Sequence, residues 1–354
     1  MSDKLKQIRK QIDALDRRLV KLLSSRARLA RRIGLLKEGA AYRPEREAQV
    51  LRGVLAENRG PLPDAALGRL FAEIMSACRA LEDSMTVAYL GPQGTFSQEA
   101  AAKHFGAPSA LAPCATIDEV FRQVETGAIG FGVVPVENSS EGAIGRTLDL
   151  LLSTSARICG EVLLPIRQCL MSRSGKLGAV RKVYSHTQSL AQCQQWLARK
   201  LPRVERTAVV SNAEAARLAA RERHAAAIGP ATAAGLYGLK LIARNIEDEA
   251  KNTTRFLVIA ESDAAPSGRD KTSLIMSTRN VPGAMHDLLT PLAVNQVSMT
   301  RLESRPSRTG LWEYVFYVDV EGHQQDANVA RALSELKQKA SFLKNLGSYP
   351  AAVT

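Results

Sequence analysis

Apolar positions in the first 36 residues follow the three- and four-residue spacing of a long helix. They are Leu5, Ile8, Ile12, Leu15, Leu19, Leu22, Leu29, Ile33 and Leu36, and a charged residue, Arg26, continues the same seam. This period is typical of a helix that packs along its whole length against other helices. Because an unpaired buried charge is costly, Arg26 requires an anionic partner. That partner is either a carboxylate of a neighbouring helix or a bound acidic substrate.

Two further helices are predicted in the same block. The first helix is expected to end near Gly39, since glycine is favoured just after a helix C-terminus. Pro44 begins a second helix, which Gly60-Pro-Leu-Pro63 breaks, and Asp64 caps a third helix that runs to about Glu82. Residues 1–85 therefore form an all-helical first domain in this interpretation.

From Thr86 the pattern changes to short apolar strands that alternate with helices. The predicted strands are Val87–Leu90, Phe131–Pro135, Val183–Ser185, Thr207–Ser211, Ala226–Ile228 and Phe256–Ala260. Helices are predicted to begin at Ser97, Ile117, Gly142, Ser189, Ala213 and Ala231. This alternation indicates an α/β domain over residues 86–262, long enough for two lobes around a cleft, with ligand groups in the loops that follow strands.

A polar segment, residues 261–270, separates this domain from a third one at 271–354. The pattern there predicts a strand at Thr272–Thr278, a helix at Gly283–Leu289, strands at Gln296–Leu302 and Trp312–Val320, and a helix at Ala327–Ser341. This βαββα order is typical of a small α+β unit.

Composition narrows the class of protein. With 354 residues the chain is long enough for two or three domains. It carries 48 Lys and Arg against 35 Asp and Glu, a net charge of +13. In residues 1–85 the basic residues alternate with acidic ones, and the aromatic residues there are Tyr42 and Phe71, which disfavours nucleic-acid binding and favours small anions.

Other features argue against a membrane, secreted or metal-binding protein. No apolar run approaches the roughly 18 residues of a membrane-spanning helix. The first residues lack the apolar core of a secretory signal, so we expect a cytoplasmic protein. The five cysteines, at positions 78, 114, 159, 169 and 193, form no CxxC pair and are expected to be reduced thiols. The five histidines lack metal-ligand spacing, so neither a metal nor another cofactor is expected.

The first block contains the groups of an anion site. Arg9 and Arg26 lie 17 residues apart, which is roughly 25 Å along a helix at about 1.5 Å per residue, so a partner chain must supply one of them to a shared site. Lys37 shares a helix face with Arg26, and Glu82 could reach the same core. These groups suit a ligand with two carboxylates and a hydroxyl, and they favour electrostatic stabilisation over covalent catalysis.

The block resembles the all-helical chorismate mutases through Ile8-Arg-Lys-Gln-Ile-Asp-Ala-Leu-Asp16, Arg26, Lys37, Arg43-Pro-Glu-Arg-Glu47 and Ala80-Leu-Glu82. The resemblance implies that Arg26, and Arg9 from the other subunit, hold the two carboxylates of chorismate. Lys37 and Glu82 would contact the ether oxygen, and Glu47 would accept the ring hydroxyl. Cys78 and Arg43 occupy positions where the family often has Ser and Asp, so they are candidate chorismate contacts.

Five stretches of the second block resemble prephenate dehydratase. They are Gly91-Pro-Gln-Gly-Thr-Phe-Ser97, Pro135-Val-Glu-Asn-Ser-Ser-Glu-Gly-Ala-Ile144, Ser185-His-Thr-Gln188, Ser211-Asn-Ala-Glu214 and Lys251-Asn-Thr-Thr-Arg-Phe256. For Ser211-Asn-Ala-Glu214, plain helix-cap chemistry is an equally good interpretation.

The resemblance points to Thr254 as the group that assists loss of the substrate hydroxyl, by polarising it rather than by acting as a free acid. Glu137 is the better candidate for a titrating acid, provided that it is buried. Asn138, Ser139 and Gln188 are candidate prephenate contacts. Arg255 either binds a substrate carboxylate or braces the loop.

The third block resembles a phenylalanine-sensing ACT domain through Asn280-Val-Pro-Gly-Ala-Met285 and Thr300-Arg-Leu-Glu-Ser-Arg-Pro306. The candidate phenylalanine-binding residues are Gly283, Ala284, Met285, Glu303, Ser304, Arg305 and Pro306.

The sequence therefore predicts a multidomain fold. It comprises an all-α chorismate-mutase-like domain, a two-lobed α/β dehydratase domain of the periplasmic-binding-protein type, and a ferredoxin-like α+β ACT domain. The hypothesis is a bifunctional enzyme, a homodimer or larger, that acts on chorismate and prephenate and is inhibited by phenylalanine. The alternatives are a dehydratase that uses its helical block only to dimerise, and a non-enzymatic amino-acid sensor.

Overall fold

The first block is helical, as predicted. The computed structural model describes residues 2–36, 42–82, 85–107, 109–307 and 314–353. Its first helices are α1 (Ser2–Leu36), α2 (Pro44–Glu57) and α3 (Asp64–Arg79). The apolar seam of α1 is largely open to solvent in the single chain, and Leu5, Ile12 and Leu19 are each half exposed. The packing predicted along the whole helix is thus missing from the described residues of one chain.

The predicted helix ends need two corrections. Pro44 begins α2, but α3 is preceded by Pro63 at its N-cap, so Asp64 is its first helical residue rather than its cap. The Asp64 carboxylate instead accepts a hydrogen bond of 2.7 Å from the amide of Asn58. α3 ends at Arg79, one turn before Glu82. The predicted first helix end, Gly39, lies outside the described residues.

The next unit has two lobes, each built on a mixed sheet. The first-lobe strands are β1 (Thr86–Leu90), β2 (Ala110–Cys114), β3 (Phe131–Asn138), β4 (Gly142–Ala143), β5 (Arg157–Pro165) and β11 (Thr253–Ala260). They follow the order β2-β1-β3-β11-β5, with β4 paired to β3. The helices of this lobe are α4 (Phe96–Phe105), α5 (Ile117–Glu125) and α6 (Gly145–Ser153). β11 runs antiparallel to both of its neighbours.

The second lobe lies between β5 and β11 in sequence. Its strands are β6 (Cys169–Ser172), β7 (Lys182–His186), β8 (Glu205–Val209), β9 (Ala225–Gly229) and β10 (Lys240–Arg244), in the order β10-β6-β9-β7-β8. Its helices are α7 (Thr187–Gln192), α8 (Gln194–Lys200), α9 (Asn212–Arg221) and α10 (Ala231–Leu236), with a short 3-10 turn at Leu177–Ala179. The chain therefore crosses between the lobes twice, and the return crossing leads directly into β11.

The C-terminal unit is a four-stranded antiparallel sheet with two helices. Its elements are β12 (Asp270–Ser277), α11 (Ala284–Val294), β13 (Met299–Pro306), β14 (Tyr314–Glu321), α12 (Ala327–Lys339) and β15 (Phe342–Pro350). The order β13-β14-β12-β15 completes the ferredoxin-like βαββαβ topology. The last strand was not predicted. In β15, Gly347 has a φ of 137°, and an added Cβ would lie 2.3 Å from the carbonyl oxygen of Ile158, so only glycine permits this close approach to β5.

The predicted multidomain fold class is confirmed, but several strands were missed. β2, β5, β6 and β10 lack a clear apolar alternation, since β5 carries Glu161 in its middle and β2 contains Pro113. The helix expected at Gly142 begins at Gly145, because residues 142–143 pair with β3 instead. The other five helix starts lie within two residues of the prediction.

Candidate active sites

The pairing of β3 with β11 brings two candidate residues together. The register places Thr254 opposite Asn138, and both side chains are buried. The Nδ2 group of Asn138 donates hydrogen bonds to Thr254 Oγ1 at 2.8 Å and to Asn252 Oδ1 at 2.7 Å. These residues lie where the chain returns from the second lobe to the first, so the predicted cleft residues Asn138 and Thr254 do share one site.

The orientation of the Asn138 amide is fixed from its other end. Its Oδ1 accepts the backbone N–H of Ser140 at 3.0 Å and of Glu141 at 3.2 Å. This network assigns the amide oxygen to the loop and the NH₂ group to Thr254. The Thr254 oxygen is therefore an acceptor here, which leaves its own proton available to donate to another group.

Glu137, the predicted titrating acid, is not brought to the Asn138–Thr254 pair in this structure. Adjacent residues of a strand point to opposite faces of a sheet, so Glu137 faces away from Asn138 and Thr254. There its carboxylate forms an ion pair of 2.8 Å with Arg301 of β13. The structure assigns Glu137 to the contact with the C-terminal sheet.

Arg255 lies on that same reverse face, and its contacts favour the bracing interpretation. Its guanidinium contacts Glu161 at 2.8 Å, Asp319 at 2.5 Å and the Tyr349 hydroxyl at 2.8 Å. Burial acts to raise the pKa of Asp319, but Arg255, the Ser273 hydroxyl and Arg301 together hold that pKa below its usual range. A guanidinium held by these three partners is not free to bind a substrate carboxylate, because it is turned toward the C-terminal sheet.

The other two predicted prephenate contacts, Ser139 and Gln188, lie in different lobes. Ser139 is exposed, and its hydroxyl accepts the backbone N–H of Thr253 at 3.0 Å, which ties the loop after β3 to the start of β11. Gln188 is half-buried in the first turn of α7, in the second lobe, where its backbone N–H bonds to His186. Gln188 thus lies in the lobe opposite Thr254.

The sequence interpretation missed a buried polar group of the second lobe. Gln168 donates to Ser189 at 3.0 Å and to Gln192 at 3.1 Å, and Asn212 also donates to Ser189. Gln192 in turn donates to Glu141 of the first lobe at 3.1 Å. The stretch Ser211-Asn-Ala-Glu214 was the sequence signal from which this polar group could have been predicted. Its serine caps α9, while its asparagine belongs to this network.

The helical block brings part of the predicted anion site together. Arg26 and Glu47 are close enough for Arg26 to influence the carboxylate electrostatically. Burial raises the pKa of Glu47, and Arg79 and then Arg26 oppose this shift. Glu47 also forms an ion pair with Arg79 of α3. A carboxylate from a neighbouring helix is therefore within electrostatic reach of Arg26, which agrees with the first of the two partners considered for it.

Glu82 also reaches this region. One of its carboxylate oxygens is buried without a hydrogen-bond partner among the described residues. A Cβ added to Gly34 of α1 would lie 2.9 Å from Glu82 Cγ, so the lack of a side chain lets α1 and Glu82 meet. Cys78 is buried, whereas Arg43 is exposed at the N-cap of α2.

Arg9 is exposed on α1, roughly 25 Å from Arg26 at about 1.5 Å per residue. Lys37 lies outside the described residues. The described part of one chain therefore places Glu47 within electrostatic reach of Arg26 and Glu82 against Gly34 of the same helix.

In the C-terminal unit, a cavity of about 960 Å³ lies beside the first predicted effector motif. Ala284 and Met285 line it, and Gly283, with a φ of 81°, caps the helix that begins there. Residues 303–306 lie on β13 and are not part of the lining within the described residues. Arg305 points to α6, where it pairs with Asp149 at 3.2 Å. One chain thus does not bring the two predicted motifs to one cavity.

Other site classes find no support in the described parts of the chain. No group of three or more His, Cys, Asp or Glu side chains there could hold a metal ion. No helix among those residues is long and apolar enough to cross a membrane. The five cysteines are buried free thiols, and burial raises the pKa of Cys159 to about 12.

Comparison with known proteins agrees with this arrangement. The family models for chorismate mutase type II, prephenate dehydratase and the ACT domain match residues 8–83, 87–264 and 272–338. The bifunctional chorismate mutase/prephenate dehydratase of Neisseria gonorrhoeae is 53% identical over 349 residues, which is 98% of this chain and 96% of that protein. That of Stutzerimonas stutzeri is 50% identical over 361 residues, 99% of both chains. This chain belongs to the bifunctional chorismate mutase/prephenate dehydratase family.

A solved structure extends the match to the fold. Prephenate dehydratase from Arthrobacter aurescens, crystallised in complex with L-Phe, has a TM-score of 0.70 and 32% identity, and the match covers 76% of this chain and 90% of that one. It follows that the helical block is the mutase unit, the two-lobed α/β unit is the dehydratase unit, and the C-terminal sheet with its two helices is the ACT unit.

The mutase unit contains one buried charge that the sequence interpretation did not single out. Arg79, the last residue of α3, is 5% exposed and contacts both Glu47 and the dehydratase unit. Sequence offered little signal for it, because a basic residue in the last helical turn is common and is usually solvated.

Proposed function

We propose that this protein rearranges chorismate to prephenate in its mutase unit and converts prephenate to phenylpyruvate in its dehydratase unit. The observation that carries the proposal is the oriented Asn138–Thr254 pair at the crossing between the two lobes. The protein acts as a homodimer or larger assembly in the cytoplasm, and neither reaction requires a cofactor. Family membership over nearly the full chain supports both activities.

In the dehydratase, loss of carbon dioxide supplies the electron pair that expels the ring hydroxyl as the ring becomes aromatic. Asn138 occupies a lone pair of Thr254 Oγ1, so the threonine proton is directed to the departing oxygen. This donation stabilises the negative charge that grows on the leaving group. Gln188, on the opposite lobe, and Ser139, in the loop after β3, are the accompanying substrate contacts.

In the mutase, the reaction is unimolecular, so orientation and charge stabilisation suffice. Arg26, together with Arg9 of a second chain, binds the carboxylates, Lys37 and Glu82 contact the ether oxygen, and Glu47 accepts the ring hydroxyl. The exposed apolar seam of α1 supports this arrangement, because a second chain would cover it. Contacts of chorismate with Cys78 and Arg43 complete the proposal.

Phenylalanine inhibits the dehydratase by binding the ACT unit at Gly283–Met285 and at Glu303–Pro306, the latter contributed by a second chain. The strand that carries the second motif is tied to the dehydratase unit by Arg301–Glu137 and Arg305–Asp149. Glu137 immediately precedes Asn138, so a shift of β13 would reach the dehydratase site through β3.

The test is incubation of the purified protein with chorismate. We expect chorismate to disappear, prephenate to accumulate transiently, and phenylpyruvate to follow. If prephenate but not chorismate is consumed, the helical block only dimerises the dehydratase. If neither is consumed, the protein is a sensor rather than an enzyme.

Inhibition is tested with the full chain and free phenylalanine. A coupling free energy of about 1–3 kcal/mol is typical of such effects, and by reciprocity prephenate should weaken phenylalanine binding by the same factor. Ser304, exposed on β13, is the residue to change. Ser304→Ala should relieve inhibition with little loss of basal activity, and unchanged inhibition would place the effector site elsewhere.

A further inference from the structure

Arg79 is a buried cation at the joint between the mutase and dehydratase units. Its side chain is only 6% exposed, although it ends a helix next to solvent-facing turns. Because burying a charge without partners is strongly unfavourable, its contacts must compensate. They come from both units.

On the mutase side, one arm of the guanidinium forms an ion pair with Glu47, in the first turn of α2. The Glu47 carboxylate interacts electrostatically with two cations from different helices, Arg79 on α3 and Arg26 on α1. Tyr42, just before α2, is the other titratable group that interacts with it. Glu47 is still 23% exposed, so it remains accessible to a ligand.

On the dehydratase side, the other arm of Arg79 donates to the carbonyl oxygen of Phe105 at 2.6 Å. Phe105 ends α4, and the Ser76 hydroxyl donates to the same carbonyl at 2.6 Å. A Cβ on Gly106 would lie 2.4 Å from Ser76 Cβ, so the two helix ends are in close contact.

The planar face of the guanidinium is fixed as well. It lies over the Tyr42 ring, 5.1 Å from the centroid, and the Tyr42 hydroxyl bonds to His104 Nε2 at 2.5 Å. A guanidinium has several donors in a rigid fork, so it can bond Glu47 and Phe105 at the same time. The dehydratase unit thereby determines where Arg79 holds the carboxylate.

We propose that Arg79 is a positioning residue for the mutase reaction. It holds Glu47 in the orientation that accepts the ring hydroxyl of chorismate, and its own position is set by the Phe105 carbonyl of the dehydratase unit. This inference rests on the proposed mutase activity and on the assignment of the ring hydroxyl to Glu47. The mutase site is therefore supported by a unit that does not take part in its chemistry.

The first test compares kcat and KM for chorismate in the full-length wild type and in Arg79→Met. The ring hydroxyl is remote from the breaking bond, so its contact is equally strong in ground and transition states, and its loss raises KM rather than lowering kcat. We expect a KM increase of about 10- to 100-fold, as for loss of a hydrogen bond to a charged group. Dehydratase activity with added prephenate should stay within about twofold of wild type, which is small beside the expected change in KM.

The pH profile supplies a readout that a purely structural role would not change. Burial raises the pKa of Glu47, and Arg79 is the stronger of the two arginines that oppose this shift. In Arg79→Met only Arg26 remains as a counter-charge, so the acidic limb of kcat/KM for chorismate should move to higher pH. In Glu47→Gln that limb should disappear, with or without Arg79.

The decisive comparison is the double variant. A neutral amide needs no counter-charge, so adding Arg79→Met to Glu47→Gln should change KM by less than about threefold, because the two side chains act as one unit. If Arg79→Met raises the chorismate KM equally in wild type and in Glu47→Gln, the proposal is wrong. It is also wrong if Arg79→Met lowers dehydratase activity to the same extent. A wild type without mutase activity would instead refute the proposed function.

Two further variants complete the design. Arg52→Met removes another partly buried arginine contact of α2, to the Ser267 hydroxyl of the 261–270 segment at 2.6 Å, away from Phe105, and should leave the chorismate KM unchanged. If Arg79→Met does not fold, Arg79→Lys replaces it in the same KM and pH measurements. It keeps the charge but lacks the fork, so KM should still rise while the acidic limb returns toward wild type. A wild-type KM in a folded Arg79→Lys variant would also count against the proposal.

Discussion

The proposed dehydratase and mutase sites of this protein are built in opposite ways. In the dehydratase unit, Asn138 and Thr254 are far apart in sequence but adjacent in a strand pair, and backbone hydrogen bonds set their distance. In the mutase unit, Arg9 and Arg26 lie on one continuous helix, which holds them apart. A β-ladder can collect distant residues within a single chain, whereas a long helix separates its own residues and needs a second chain to complete a compact site.

The strongest test of this difference is removal of the Thr254 hydroxyl. Thr254→Val keeps the shape of the side chain but removes the proton donor, and loss of one such donor typically costs about 100-fold or more in rate. Mutase activity should be unaffected, since Thr254 lies in the other unit. Steady-state rates with prephenate and with chorismate measure the two effects separately.

Thr253→Val is the matched control, because the neighbouring hydroxyl bonds to the Lys251 carbonyl rather than to Asn138. It should leave the dehydratase rate close to wild type. Near-normal phenylpyruvate formation by Thr254→Val would show that the residue is misassigned.

A second prediction concerns sharing of the mutase site between chains. Arg9→Ala and Arg26→Ala should each lose about 10- to 100-fold in mutase activity, as for lost hydrogen bonds to a charged ligand group. After the two variants are unfolded and refolded together, each mixed dimer contains one intact site of two. Mutase activity should therefore reappear in the mixture.

Each variant refolded alone is the control and should keep its reduced mutase activity. Dehydratase activity of the same samples reports the yield of refolded protein. Absence of recovery at full dehydratase yield would contradict a site shared between chains.

Glu82 tests the mutase site within one chain. An ionised carboxylate would repel the negative charge that grows on the ether oxygen, while a neutral donor would stabilise it. Glu82→Gln should therefore retain mutase activity, and Glu82→Ala should lose about 10-fold in kcat/KM, as for one hydrogen bond to a charged group. If the Gln variant is as impaired as the Ala variant, Glu82 does not act as a donor.

The smallest expected effect concerns the joint between these two units. Burial, together with the positive charges of Arg79 and Lys103, lowers the pKa of His104 to about 3. The unfolded chain, with an imidazole pKa near 6.5, binds the proton more tightly, so stability is complete above about pH 6.5 and is lost as the pH falls toward 3. At pH 5 the loss is about 2 kcal/mol.

His104→Gln does not titrate and can still bond to Tyr42. Its free energy of unfolding should consequently depend less on pH between 7 and 5 than that of wild type, as measured by urea denaturation. Equal pH dependence of the two proteins would show that His104 is not the responsible group.

Local sequence patterns were sufficient for many elements. The helical spacing, Pro44 and the short apolar strands predicted the class of each unit and most helix starts. They failed for β5 and β15, where buried or closely packed polar and glycine residues replace the apolar alternation, as at Glu161 and Gly347. Such strands form because their neighbours pair with them, and a single sequence contains little signal for that pairing.

The candidate sites show the same limit. Thr254 and Asn138 could be named from motifs, but their neighbours in sequence, Glu137 and Arg255, could not be placed. Each motif contains residues of both sheet faces, since side chains alternate along a strand. Only the ACT sheet, which supplies Arg301 and Asp319, shows that the reverse face is an interface rather than part of the substrate site.

By itself, the sequence determined the family, the three fold classes and the chemical identity of the candidate groups. The tertiary structure decided which groups meet. It orients the Asn138 amide toward Thr254, turns Arg255 and Glu137 to the ACT unit, and fixes Arg79 between Glu47 and Phe105. The physical reason is that hydrogen bonds and ion pairs depend on distances between residues remote in sequence, which chain folding sets and local propensity does not.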